Sequence, residues 1–100
     1  MEDNFKRLLL VEDEPVIALL ETQQLRNEGY AVTHVNSGEK AVEVINAKRD
    51  LYDLILMDID LGDGIDGTEA ANIILSSHDI PILFLSSHTE KDVVGLTEKI

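Results

Sequence analysis

Four acids and one hydroxyl carry the chemistry that can be read from this sequence. Asp58 closes the run Leu54-Ile55-Leu56-Met57-Asp58, and Asp60 follows two residues later. Four apolar residues in a row predict a strand buried on both faces, with the carboxylate at its end. Glu12 and Asp13, with Glu14 behind them, stop an earlier run, Leu8-Leu9-Leu10-Val11, and Ser86 follows a later one, Ile82-Leu83-Phe84-Leu85. Parallel strands direct their carboxyl ends to one rim, which is where open α/β sheets bind ligands. Where the strand of Glu12 and Asp13 lies beside that of Asp58, as in an order 2-1-3-4, the carboxylates stand close together. Two such charges about 5 Å apart at an effective dielectric near 20 repel by roughly 3 kcal/mol. A cluster of this kind takes up a proton or a cation. A hard divalent ion matches the all-oxygen donor set, and Mg²⁺ suits two carboxylates that leave positions for water and a phosphate.

The remaining residues supply the elements that must hold these groups. Lys6 to Val11 reads as the first strand, and Pro15 stands where a helix tolerates proline, in its first turn. Good helix formers fill the segment from Pro15 to Glu28, and Gly29 is a natural stop. Tyr30 to Val35 is a less buried strand nearer an edge. Asn36 with Glu39 approximates a capping box, with Ser37 as a competing cap, before a helix whose apolar stripe is Ala41, Val42 and Ile45. After the third strand comes Gly62-Asp63-Gly64-Ile65-Asp66-Gly67, in which Asp63 and Asp66 read as turn residues beside their glycines. Thr68 can cap the next helix, with Ala71, Ile74 and Leu75 facing the core. Pro81 is acceptable at the first residue of the fourth strand, and a further helix is expected from Thr89 through Leu96. The order βαβαβαβα with short connections predicts an α/β, doubly wound parallel sheet with helices on both faces.

Composition narrows the function classes. One hundred residues with 44% hydrophobic content make one domain with a modest core. Twenty acidic against eight basic residues give a formal net charge of −12, which disfavours nucleic-acid binding through this segment because phosphate backbones need a positive surface. No apolar run approaches the roughly 18 residues of a membrane span, and the polar start at Met1 to Arg7 is no secretory signal. The expectation is a soluble, cytoplasmic chain with no membrane contact. The absence of cysteine removes disulfides and thiolate metal sites.

These residues together resemble the receiver domain of two-component response regulators over the whole length of the chain. The resemblance rests on Leu8-Leu9-Leu10-Val11-Glu12-Asp13-Glu14-Pro15, Asp58 after the third strand, Asp66-Gly67 before the third helix, and Ile80-Pro81-Ile82 leading to Ser86. It implies a flavodoxin-like receiver fold of strand order 2-1-3-4(-5). It implies that Asp58 takes a phosphoryl group from a phosphohistidine of a sensor histidine kinase or a histidine phosphotransfer protein. Glu12 and Asp13 would hold Mg²⁺ with Asp58, and the main-chain carbonyl of Asp60 would complete the protein ligands. Ser86 would hydrogen-bond the phosphoryl oxygens and couple them to the following loop. A receiver of this kind is a phosphoprotein rather than a conventional enzyme, although it can promote its own dephosphorylation.

Two departures from the family pattern are visible. The loop after Asp58 lacks the proline common four residues on and is one residue longer, a form that resembles receivers found with sensor histidine kinases. The family's fifth strand, its phosphate-contacting lysine, its switch aromatic and its last helix are expected after Ile100, so that residues 1–100 read as four of five β/α units. Lys91 and Lys99 fall in the segment of the fourth helix, and neither takes the lysine role. A fourth strand left at the sheet edge suggests self-association through it.

Three other functions compete. Asp58-Ile59-Asp60 after an apolar strand is similar to the nucleophile motif of haloacid-dehalogenase-type phosphatases, although that motif belongs on a first strand. Asp58, Asp60 and Glu69 imitate the first, third and twelfth positions of a calcium loop, but Asp63 stands where its glycine belongs. The last alternative is a degenerate receiver that keeps its acids and acts only as a protein-interaction module.

Overall fold

The computed structural model describes residues 5–85; Ser86 and the helix expected from Thr89 lie outside the described residues. The described elements are β1 (Arg7–Val11), α1 (Pro15–Asn27), β2 (Ala31–Val35), α2 (Gly38–Lys48), a short 3-10 turn (Arg49–Leu51), β3 (Leu54–Asp58), α3 (Gly67–Leu75) and β4 (Ile82–Leu85). Their four strands form one sheet of order β2-β1-β3-β4, with every neighbouring pair parallel. This is the doubly wound arrangement that the alternation of elements predicts.

Burial explains why β1 and β3 are continuous apolar runs. Side chains alternate across a strand, so Leu9, Val11, Ile55 and Met57 enter one core cluster with Ala41 and Ile45 of α2 and Ala70 and Ile74 of α3. Leu8, Leu10 and Leu56 enter a second cluster on the opposite face with Leu25 of α1. Leu8 to Val11 and Ile55 to Met57 are all between 0% and 1% exposed, so neither strand has a solvent face on which polar residues could alternate. β2 is paired on one side only and shows the mixed exposure expected of an edge. β4 is the other edge of the described sheet, and its Phe84 is 44% exposed.

Turn chemistry fixes the helix ends. Pro15 begins α1, and Gly29 at φ 98° ends its last turn while its amide donates to the Arg26 carbonyl. The cap of α2 is the second of the two expected, and the cap of α3 differs from expectation. Ser37, not Asn36, caps α2, its Oγ accepting from the Lys40 amide at 3.1 Å. Asp66, not Thr68, caps α3 in a complete capping box: Asp66 Oδ1 accepts from the Glu69 amide at 2.8 Å, and Glu69 Oε1 accepts from the Asp66 amide at 3.2 Å. The buried face of α3 is Gly67, Ala70, Ala71 and Ile74, whereas Leu75 is 50% exposed. The helix is therefore rotated toward its small residues relative to the stripe expected from the sequence.

Candidate functional site

Strand register brings the acids together. Val11 is level with Met57 in the β1–β3 ladder, so one residue further on Glu12 stands beside Asp58, and Asp13 begins the turn into α1. One carboxylate oxygen from each of Glu12, Asp13 and Asp58 lies within 4.8 Å of the other two. Glu12 and Asp58 are buried, at 0% and 1% exposure, and Asp13 is partly exposed. The cluster is thus a pair of enclosed carboxylates with a third at the mouth. Three oxygen donors of this charge and spacing fit a hard divalent cation such as Mg²⁺, which binds through one or two carboxylates and keeps water on its remaining positions.

Backbone groups hold Glu12 and Asp58 in place. The Glu14 amide donates to Glu12 Oε2 at 3.1 Å, and the Glu12 amide donates to the Val35 carbonyl of β2 at 3.1 Å. His34 Nε2 lies 2.7 Å from the Glu12 carbonyl oxygen. A carbonyl only accepts, so Nε2 carries the proton in this contact. The Asp60 amide donates to Asp58 Oδ1 at 3.3 Å, while the Asp60 side chain turns away and accepts from the Gly62 amide at 3.3 Å. The Asp60 carboxylate is accordingly outside the three-acid cluster. Glu14 sits at the N-cap position of α1 with an exposed side chain.

Three contacts around the site carry little trace in the acid pattern. Gly67, the first residue of α3, lies so close to the end of β3 that a Cβ there would be 2.1 Å from the Asp58 carbonyl oxygen, and its amide donates to the Ile59 carbonyl at 2.9 Å. Gly62 runs against Asp13, with a Cβ position 3.0 Å from Asp13 Oδ2. Glu39, at the start of α2, accepts a hydrogen bond from the Ile65 amide at 2.9 Å. The glycines of the β3–α3 loop are the available sequence sign of the first two; the third joins residues 26 apart in the chain and has none. Glu69 is engaged in the α3 capping box and Asp60 with Gly62, so two of the acids that imitate a calcium loop already have local partners. His78 Nε2 bonds Asn46 Oδ1 at 2.9 Å, away from the cluster residues. Ser86 falls outside the described residues.

Comparison with known proteins gives the family. The family model for the response regulator receiver domain matches residues 8–98, and the chain belongs to that family. Among curated relatives, the transcriptional regulatory protein YrkP of Bacillus subtilis is 36% identical over 83 residues, which is 83% of this chain and 34% of that protein. The phyllosphere-induced regulator PhyR of Methylorubrum extorquens is 30% identical over 93 residues, covering 93% of this chain and 35% of that protein. This chain therefore spans about a third of the length of these two relatives. Among solved structures, the N-terminal domain of a response regulator/sensory box/GGDEF three-domain protein from Carboxydothermus hydrogenoformans is similar, with a TM-score of 0.76, 38% identity, and coverage of 90% of this chain and 74% of that one. PhyR of Bartonella quintana, in a co-crystal structure with the anti-sigma factor NepR, matches with a TM-score of 0.73 at 31% identity over 88% of this chain and 36% of that one. No helix among the described residues is long and apolar enough to cross a membrane.

Proposed function

We propose that this receiver domain accepts a phosphoryl group on Asp58 from the phosphohistidine of a sensor histidine kinase or histidine phosphotransfer protein. The observation that carries the proposal is the meeting of Glu12, Asp13 and Asp58 at adjacent strand ends, with their oxygens within 4.8 Å of one another. In the transfer an Asp58 oxygen forms a bond to phosphorus and the phosphorus–nitrogen bond breaks. The electron pair stays on the leaving imidazole nitrogen. The product is an acyl phosphate on Asp58 and a histidine that regains a proton on release.

The attack joins two negatively charged partners, so the chain's own contribution is position. Glu12 and Asp13 would hold Mg²⁺ together with Asp58 and the Asp60 carbonyl. When bound, the ion supplies charge neutralisation for the incoming phosphoryl oxygens. The Asp60 amide, already donating to Asp58 Oδ1, orients the acceptor carboxylate. Asp58 is 1% exposed, so bulk water has little access to the acceptor carboxylate. Ser86 is proposed as the hydroxyl that follows the new phosphoryl oxygens, in a charge-driven rearrangement of the loop it begins.

The test is phosphorylation by a small donor such as acetyl phosphate, followed by intact-mass measurement. Modification should require Mg²⁺, stop on addition of EDTA, and be absent in Asp58→Asn. Labelling that persists in the variant would sink the site assignment. A second reading, a receiver that acts through protein contacts without phosphorylation, is favoured by the likeness to PhyR, which is known in complex with an anti-sigma factor. Failure of the wild-type chain to accept phosphate while still binding a protein partner would favour that reading. The phosphatase alternative is set aside because Asp58 ends the third strand, and the chain belongs to the receiver family.

A further inference from the structure

The loop that joins β3 to α3 is gripped at its far end by the first turn of α2. Ile65 is held there at two points. Its amide donates to Glu39 Oε2 at 2.9 Å, and its side chain lies over Gly38, where a Cβ would be 2.8 Å from Ile65 Cγ1 and 3.1 Å from the Ala70 methyl. Gly64 permits the approach from the loop side, since a Cβ there would stand 2.6 Å from Glu39 Oε2, and its φ of +88° suits glycine. Two residues before Gly64, Gly62 runs against the Asp13 carboxylate. The loop is thus strung between an α2 anchor and one of the clustered acids, with Asp60 on the stretch between β3 and Gly62.

We propose that Glu39 is a positioning residue for the acidic site: by fixing Ile65 it sets the path of the β3–α3 loop past Asp13, and with it the Asp60 carbonyl offered to Mg²⁺. The inference rests on the phosphoacceptor reading above. Glu39 lies on another helix from the proposed ligands and acts only through the loop. The Ile65 amide also holds the Glu39 carboxyl below the usual carboxylate range, so the tether is intact at neutral pH and is lost only as pH falls through that lowered value. It is a standing support at working pH, with no switch in it. Loss of a partner that orients a metal ligand typically weakens metal affinity by about tenfold or more.

The experiment is a Mg²⁺ titration of the chain followed by amide NMR shifts of Asp13 and Gly62, with hydrogen exchange of the Ile65 amide measured on the same samples. Glu39→Ala should raise the Mg²⁺ Kd by about tenfold and speed exchange at Ile65. Glu39→Gln removes the same charge but keeps an accepting oxygen, so it should restore both readouts close to wild type. An unchanged Kd in Glu39→Ala, with Ile65 exchanging faster, would overturn the positioning role. A Glu39→Gln variant as weak as Glu39→Ala would overturn it as well, because the charge alone would then account for the loss. If the wild-type chain fails to bind Mg²⁺ at all, the phosphoacceptor reading falls and takes this inference with it.

Discussion

Replacing Asp58 by Asn should make the metal-free protein more stable while removing its response to Mg²⁺. The carboxylate oxygens of Glu12, Asp13 and Asp58 approach one another within 4.8 Å. At an effective dielectric near 20, each pair at that distance costs about 3.5 kcal/mol. Asn at position 58 deletes two of the three pairs and keeps the shape, and its Oδ1 can still accept from the Asp60 amide. The gross relief is an upper bound, because Asp13 is partly exposed and counterions screen it. A net gain of about 1 kcal/mol is a small fraction of that bound, and for a domain of this size it raises Tm by roughly 4–8 °C. Mg²⁺ at 100 times its Kd would in turn stabilise the wild type by about 2.7 kcal/mol, enough to reverse the order of the two proteins. Circular-dichroism melts in EDTA and in excess Mg²⁺ read both effects. An Asp58→Asn protein that melts below wild type in EDTA, or that gains as much from Mg²⁺ as wild type does, would refute the reasoning.

Two further substitutions probe what holds the site. Gly67→Ala would set a methyl 2.1 Å from the Asp58 carbonyl oxygen and 2.9 Å from the Ile59 Cα. Both neighbours are backbone, so the change should cost about 3 kcal/mol or more; a urea midpoint unchanged from wild type would show that α3 does not seat against β3 as described. Asp66→Ala removes the α3 cap and its reciprocal bond with Glu69, which should lower stability by about 1 kcal/mol; an unaltered melt would mean the capping box is not formed in solution.

The strands were legible because their cause is local to the sequence. β1 and β3 are buried on both faces, and such strands must be continuous apolar runs ended by polar residues. Once β1 and β3 are neighbours, the match of Val11 with Met57 brings Glu12 and Asp58 level, so the carboxylate cluster followed from the same patterns. The caps were less legible because two local solutions competed at each. Asn36 with Glu39 has the form of a capping box, but the Glu39 carboxylate is taken by the Ile65 amide, a contact made only after the chain has folded back. Ser37 then caps α2 alone. Near α3, Asp66 and Thr68 both precede the apolar residues, and only Asp66 has Glu69 three residues on to complete the box.

The phase of α3 shows why acid spacing alone could not describe the site. Its buried residues are Gly67, Ala70, Ala71 and Ile74, spaced i, i+3, i+4 and i+7 as an amphipathic helix requires. Ala71 and Ile74 stand on the expected stripe, but Gly67 and Ala70 are small, so a search for large apolar residues passes over those two and selects Leu75 instead. The missing Cβ of Gly67 is what lets the helix start against the backbone of Asp58. The β3 end is thereby pinned from one side by α3 and continues on the other into a loop tied to α2 through Ile65. An acceptor carboxylate has to meet an incoming phosphoryl group at a fixed distance and angle. On the proposed phosphoacceptor role, that precision would come from the N-termini of α2 and α3, with the acids contributing the charge.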